Sequence, residues 1–193
     1  MRKVERSELL GLGEYEQIRE HFRNRMIAHK ARRRLALGPH MTIVFENHDT
    51  VLLQVQEMLR TERISDERAI AHELSTYNEL VPPPGCVSAT LFIEYVDVAE
   101  RHVMLTKLAS LRTELRMRIG DRESVARFGT HFGEELERIP SVNYLTFDVG
   151  AEAAARLSDA SVPAALVATH AAYAAETPLS PALRAELADD LTS

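Results

Sequence analysis

The chain has little with which to cross-link itself, hold a metal cluster or span a bilayer. Of its 193 residues one is cysteine, Cys86, and none is tryptophan. A single thiol excludes an intramolecular disulfide and any multi-cysteine zinc or iron–sulfur site built by this chain alone. No apolar run approaches the roughly 20 residues that cross a membrane. The opening Met1-Arg2-Lys3-Val4-Glu5 lacks the apolar core of a secretory signal and carries an acid where a transit peptide would not, which points to the cytoplasm. Repeats and low-complexity linkers are missing too, so residues 1–193 read as one domain with room for a real core.

Several chemistries lack their residues. There is no Gly-x-Gly-x-x-Gly, no Walker-type Gly-x-x-x-x-Gly-Lys-Ser/Thr and no Gly-x-Ser-x-Gly. Cys86 follows Pro82-Pro83-Pro84-Gly85 with no basic neighbour in sequence to lower its pKa, so a nucleophile is not expected there. With no recognisable catalytic set, the sequence leans away from an enzyme.

What is present is globular: 45% hydrophobic and 27% charged residues, with a net charge of −6. That charge is uneven. Residues 1–40 carry ten Lys/Arg against five Asp/Glu, residues 41–80 three against eight, and residues 121–193 five against twelve. An acidic whole argues against general binding to nucleic acid or anionic membranes, and the N-terminal part is a basic exception.

Tyr15, Ile18, Phe22 and Met26 recur at helical spacing and predict a helix over residues 14–35, stopped by Leu37-Gly38-Pro39. Met41–Phe45 reads as a strand. Asn47-His48-Asp49-Thr50 is turn chemistry, with Asp49 or Thr50 able to cap a helix from Val51 to Arg63. A cap at Ser65 or Asp66 opens another helix with Ile70, Leu74 and Tyr77 on its buried side, ended by the proline run. Beyond it, strands are expected at Val87–Tyr95, Leu111–Ile119, Val142–Val149 and Ala164–Ala168. Helices are expected at Ala99–Ala109, near Thr130–Arg138, after Gly150 and from Pro181 to Leu191. Residues 111–119 alternate apolar side chains with Arg112, Glu114, Arg116 and Arg118, which suits an antiparallel sheet with one wet face. The expected class is α+β: a mixed or antiparallel sheet of about four to five strands with covering helices, preceded by a basic helix and a helical pair.

No acid lies between Glu20 and Glu46, while Arg23, Arg25, Lys30, Arg32, Arg33 and Arg34 are basic. On one helix Arg19, Arg23, Lys30 and Arg34 would fall within about 60° of one another. Glu16 and Glu20 can pair with Arg19 and Arg23, leaving Arg25, Lys30, Arg32, Arg33 and Arg34 as candidates for a ligand or partner. Three readings stand: a solvated face suited to a helix C-terminus, docking on the chain's own acidic residues 41–80, or a site for an anionic group or acidic partner. Nucleic acid is a minor branch of the last, because no recognised motif accompanies the cluster.

In the acidic pair, Glu57 shares a polar stripe with Gln54 and Thr61, and Glu73 borders the buried side of the next helix. Glu57, Glu73 and a histidine such as His48 or His40 are candidate ligands for iron, manganese or zinc. Neither a Glu-x-x-His pair nor His-Glu-x-x-His is present; Tyr77 stands where a second histidine would. Glu46-Asn47-His48-Asp49 closes the first strand, and a capping turn explains all but His48. Thr169-His170-Ala171-Ala172-Tyr173 follows a strand, where an exposed His and Tyr can bind or move protons.

The blocks Val4–Leu10, Arg32–His40, Phe45–Asn47, Gln54–Arg60, Glu73–Leu80 and Ser88–Glu94 are similar to those of an uncharacterised bacterial family, domain of unknown function 3501, and the resemblance runs the full length. It supplies no catalytic residue. It does imply an accessory role in a redox or peroxide-related system, beside ferritin-like rubrerythrin relatives and an iron–sulfur protein similar to heterodisulfide reductase subunits. Two functions therefore compete: an accessory protein, monomer or homodimer, that engages an acidic partner through the basic helix, and a metal-binding protein or enzyme using Glu57, Glu73 and a histidine. A nucleotide or oligonucleotide site at Arg32, Arg33 and Arg34 is a third.

Overall fold

The computed structural model describes residues 1–129 and 137–193. A long helix, α1 (Leu12–Arg32), runs into the hairpin β1 (Arg34–Leu37) and β2 (Met41–Glu46). Two helices follow, α2 (His48–Thr61) and α3 (Glu67–Tyr77). The rest is β3 (Cys86–Ile93), α4 (Val98–Lys107), β4 (Leu115–Ile119), β5 (Arg122–Val125), β6 (Arg127–Phe128), β7 (Val142–Asp148), α5 (Ala153–Ser158), β8 (Ala164–His170), β9 (Tyr173–Pro178) and α6 (Pro181–Thr192). Among the described residues no helix is long and apolar enough to cross a membrane.

The strands form two antiparallel sheets, ordered β1-β2-β3-β7-β6 and β5-β4-β8-β9. The α+β class is as expected, but a second sheet was not foreseen. The chain leaves one sheet and enters the other across a single residue, Ala126, between β5 and β6. Alternation turns Ile43 and Phe45 of β2, Leu91 of β3 and Phe147 of β7 inward against Leu115, Met117 and Leu166 of the other sheet. This shared core is built of buried apolar side chains, and each large one contributes about 1.5–3 kcal/mol by leaving water. Leu105, Leu157, Leu183 and Leu187 bring α4, α5 and α6 onto it.

A smaller cluster joins Val51, Val55 and Leu59 of α2, Ile70 and Leu74 of α3, and Val4 and Leu9 of the N-terminal segment. Tyr144 of β7 packs against it from the five-stranded sheet. Two amide side chains pin the N-terminal segment there. Asn78 accepts from Val4 N–H (2.8 Å) and donates to Val4 C=O (2.9 Å). Gln56 does the same for Leu10, at 2.9 and 3.1 Å. Each imitates a peptide group, and Asn78 satisfies a buried backbone pair that would otherwise be orphaned.

Local chemistry sets the boundaries. Asn47, not Asp49 or Thr50 as expected, caps α2 in a reciprocal pair with Thr50, so the helix starts at His48, three residues earlier than predicted. Asp66 caps α3, Asp97 caps α4 and Ser180 caps α6, with Pro181 at its first turn. Gly38 turns β1 into β2 at φ +66°, where a side chain would also meet the Tyr173 hydroxyl at 2.7 Å. Arg184 donates to the carbonyls of Leu157, Val162, Arg156 and Asp159, satisfying the end of α5.

Four expectations need correction. The helix predicted to residue 35 ends at Arg32, and β1 takes the next residues. The strand predicted over Leu111–Ile119 is strand only from Leu115. Residues Leu108–Thr113 form a 3-10 helix instead, because Leu108 and Leu111, three apart, both point into the core. Strands β5, β6 and β9 were unforeseen. His170 and Tyr173 are not exposed: at 6% and 7% exposure they flank the β8–β9 turn. His170 Nδ1 accepts from Ala172 N–H, and the Tyr173 hydroxyl donates to Leu37 C=O (2.6 Å) and accepts from His40 N–H (2.9 Å). The helix expected near Thr130–Arg138 falls mainly on residues 130–136, outside the described residues.

Candidate functional site

The fold sorts the basic cluster into engaged and free cations. Arg33 is fully buried. Its guanidinium donates to Phe45 C=O at 2.9 Å, to Glu186 at 3.1 Å, to Asp190 and, more weakly, to Glu46 C=O. Arg32 donates to Glu186 at 2.6 Å. His29 sits 3.9 Å from the same carboxylate and within 3.4 Å of the Asn47 amide, which itself donates to Asp190. Helix α1 thus ends clamped to α6. Burial holds Asp190 above the usual carboxylate range, only partly offset by Arg33 and Asn47. Burial also pushes Glu186 upward, but the Arg32 and Arg33 guanidiniums outweigh it and its carboxyl ends below that range.

The first half of α1 is engaged as well. Arg19 binds Glu57 through two bonds, at 2.8 and 2.9 Å, and the Tyr15 hydroxyl donates to the same carboxylate at 2.6 Å. Arg60 binds Glu16. The Arg19 guanidinium, with Tyr15 helping against burial, keeps Glu57 below its ordinary pKa. Burial and this bond push Tyr15 up. Docking on residues 41–80 therefore holds for the start of α1, whereas Arg32 and Arg33 reach acids more than 150 positions away.

What stays free lies on the flank of α1. The side chains of Arg23, Lys30 and Arg34 make no ion pair or hydrogen bond with any described residue, although the charge of Arg23 adds to the pull that keeps Glu57 ionised. Between the two helical cations Ile27 is 61% exposed. Arg23, Ile27 and Lys30 fall within about 60° of one another at 100° per residue. Arg34 belongs to β1, so the four-cation helical stripe is not formed as expected. Arg25 lies on another flank, its guanidinium carbon 5.3 Å from the centre of the Phe22 ring.

That other flank borders a groove of about 350 Å³ between α1, α2 and the N-terminal segment. Tyr15, Ile18, His21, Phe22 and Arg25 line it from α1, Leu52 and Gln56 from α2, and Glu8 and Leu10 from the N-terminal segment. The predicted apolar stripe of α1 is thus covered only at its ends: Tyr15 and Met26 are 1% exposed, while Ile18 is 45% exposed.

The candidate metal ligands part company. Glu57 is held by Arg19 and Tyr15 on the α1 side, not on the solvent stripe expected. His48 lies 3.1 Å from Glu8 and 3.1 Å from Asp49. His40 stacks on Tyr95 at 4.1 Å. Glu46 is buried and accepts from the Thr90 hydroxyl at 2.6 Å. Glu73 joins none of them: among the described residues, no three His, Cys, Asp or Glu side chains gather as a metal would need. Cys86 does have a basic neighbour, in space if not in sequence, since Arg127 Nη2 lies 3.7 Å from its sulfur. Burial nevertheless raises its pKa, with Asp148 adding to the effect against Arg127.

Sequence reasoning missed the groove because its walls come from three separate segments. The one available signal was Ile18 and Phe22 lying beside Arg25 on a helix face. The family model described as protein of unknown function, DUF3501, matches residues 3–191. The chain matches no curated protein. It is similar to a crystal structure described as a novel protein of unknown function from Burkholderia pseudomallei, at 32% identity and a TM-score of 0.91, over 98% of this chain and 100% of that one. The chain belongs to the DUF3501 family.

Proposed function

We propose that this protein is an accessory binding protein of a redox or peroxide-related system, and that it engages an acidic partner through the free flank of α1. The observation that carries the binding role is the set of cations left over when folding is complete. Arg19, Arg32 and Arg33 are ion-paired to carboxylates, whereas the side chains of Arg23, Lys30 and Arg34 form no ion pair or hydrogen bond with any described residue, Arg23 exerting only a longer-range attraction on Glu57. Basic side chains without an ion pair, two of them flanking an exposed Ile27, offer a partner both charge and an apolar anchor. The redox setting rests on the family resemblance alone, and names iron–sulfur and ferritin-like proteins as the partners to look for.

Affinity capture from cells under peroxide stress tests both parts. The wild-type chain is expected to retain an iron–sulfur or ferritin-like protein, and the triple variant Arg23→Glu, Lys30→Glu, Arg34→Glu to lose it. Equal capture by both chains removes the flank from the account. Capture of no such protein removes the redox setting.

A further inference from the structure

The groove between α1 and α2 is a second place where the molecule is unfinished, on the flank of α1 away from Arg23 and Lys30. Its apolar walls are Leu10, Ile18, Phe22 and Leu52, and Leu10 and Ile18 are 37% and 45% exposed. At about 350 Å³ it falls at the lower end of the range for small-molecule pockets. Three of its polar groups are already satisfied. Gln56 is bonded through its amide to the backbone of Leu10, and Tyr15 donates to Glu57. Glu8 accepts from Arg2, from His48 and from the Glu5 N–H. Among the described side chains lining it, His21 and Arg25 have no hydrogen-bond partner at all and keep their donors for a ligand. Arg25 lies against Phe22, so its charge borders the apolar wall.

We infer that this groove binds a small amphiphilic monocarboxylate, its alkyl chain against Leu10, Ile18, Phe22 and Leu52 and its carboxylate on Arg25, with His21 as a second donor. Charge complementarity selects the occupant. A neutral apolar ligand leaves the cation unused, a cationic one meets Arg25, and a strongly polar one leaves the walls wet. A planar guanidinium matches a carboxylate with two parallel bonds.

Decanoate, kept below its micellar concentration, is the probe, with calorimetric titration as the readout. Saturable one-to-one binding is expected. Decan-1-ol in place of decanoate, and Arg25→Gln in place of the wild type, should each weaken binding by about tenfold or more, the loss of one charge-assisted contact. Ile18→Glu should abolish it. Ile18 is already half in water, so that variant folds, which its thermal melt verifies. Arg118→Gln, on the wet face of the second sheet, should bind as the wild type does. Three results overturn the inference: no saturable binding, equal affinity for the alcohol, or binding indifferent to Arg25→Gln and Ile18→Glu. A groove that takes a partner's peptide instead gives the first.

Discussion

Arg33 and Arg34 are neighbours in sequence and opposites in the fold. At the α1–α6 junction Arg33 is sealed from water between Glu186, Asp190 and two backbone carbonyls; one residue on, Arg34 stands exposed with no acid of its own. The junction and the free flank are built from the same residue type. In a buried position a guanidinium must be surrounded by acceptors, because its desolvation costs several kcal/mol without them. On the surface the same group carries almost no structural role and is available to another molecule.

Arg33→Met should separate the two regions most widely. It leaves Asp190 buried without its cation and is expected to cost about 3–5 kcal/mol in denaturant unfolding. The deficit should grow with pH. Asp190 has a folded pKa above its unfolded one, so the native state binds the extra proton and stability falls as pH rises from the unfolded value through the folded one. Without Arg33 that upward shift increases. A deficit that shrinks on raising the pH would show that Asp190 is not the group left stranded.

Asn78→Ala removes both bonds that hold Val4, leaving a buried N–H and C=O unpaired, and should cost about 1–3 kcal/mol. Hydrogen exchange should then show the Val4 amide opening before the strands of the core. Glu57→Gln should cost about 1 kcal/mol at neutral pH through its weakened bonds to Arg19 and Tyr15. Glu57 has a depressed folded pKa, so its contribution is present above the unfolded value and lost as pH falls through the folded one. Wild type and variant melts should accordingly converge in acid. The smallest effect belongs to the free flank: Arg23→Glu, Lys30→Glu and Arg34→Glu together should shift stability by no more than about 0.5 kcal/mol each. A larger loss would mean that the flank is engaged within the fold.

Punctuation was legible in the sequence. Asp66, Ser180-Pro181 and the Pro82–Pro84 run each ended or opened an element where expected, because caps and prolines act within a few residues. The periodic stripes of α2 and α3 were equally plain. What stayed hidden depended on distance or on weak local preference. Strand β9, Tyr173–Pro178, is rich in alanine, which has little tendency to form strands, and is held by its partner β8. Strand β1 was absorbed into the helix because its Arg34 and Leu35 continue a helical-looking run. Arg32 and Arg33 looked free only because their carboxylates arrive from the far end of the chain. Of the five cations proposed from sequence for a ligand or partner, Lys30 lies on the free flank of α1, Arg34 stands unpaired among the described residues at the start of β1, and Arg25 borders the groove.

The crossing at Ala126 and the Tyr173 hydroxyl have a joint consequence for the life of the unfinished chain. β5 runs directly into β6, and Tyr173 ties β9 to the end of β1, so the outer strands of each sheet face those of the other. Open strand edges are the templates on which chains add to one another and precipitate. Here that hazard is removed late, because the tie joins residues 136 positions apart. A nascent chain that has made β1 and β2 but not yet β9 carries an unguarded edge, and aggregation during synthesis should be governed by how soon Tyr173 and the rest of β9 emerge.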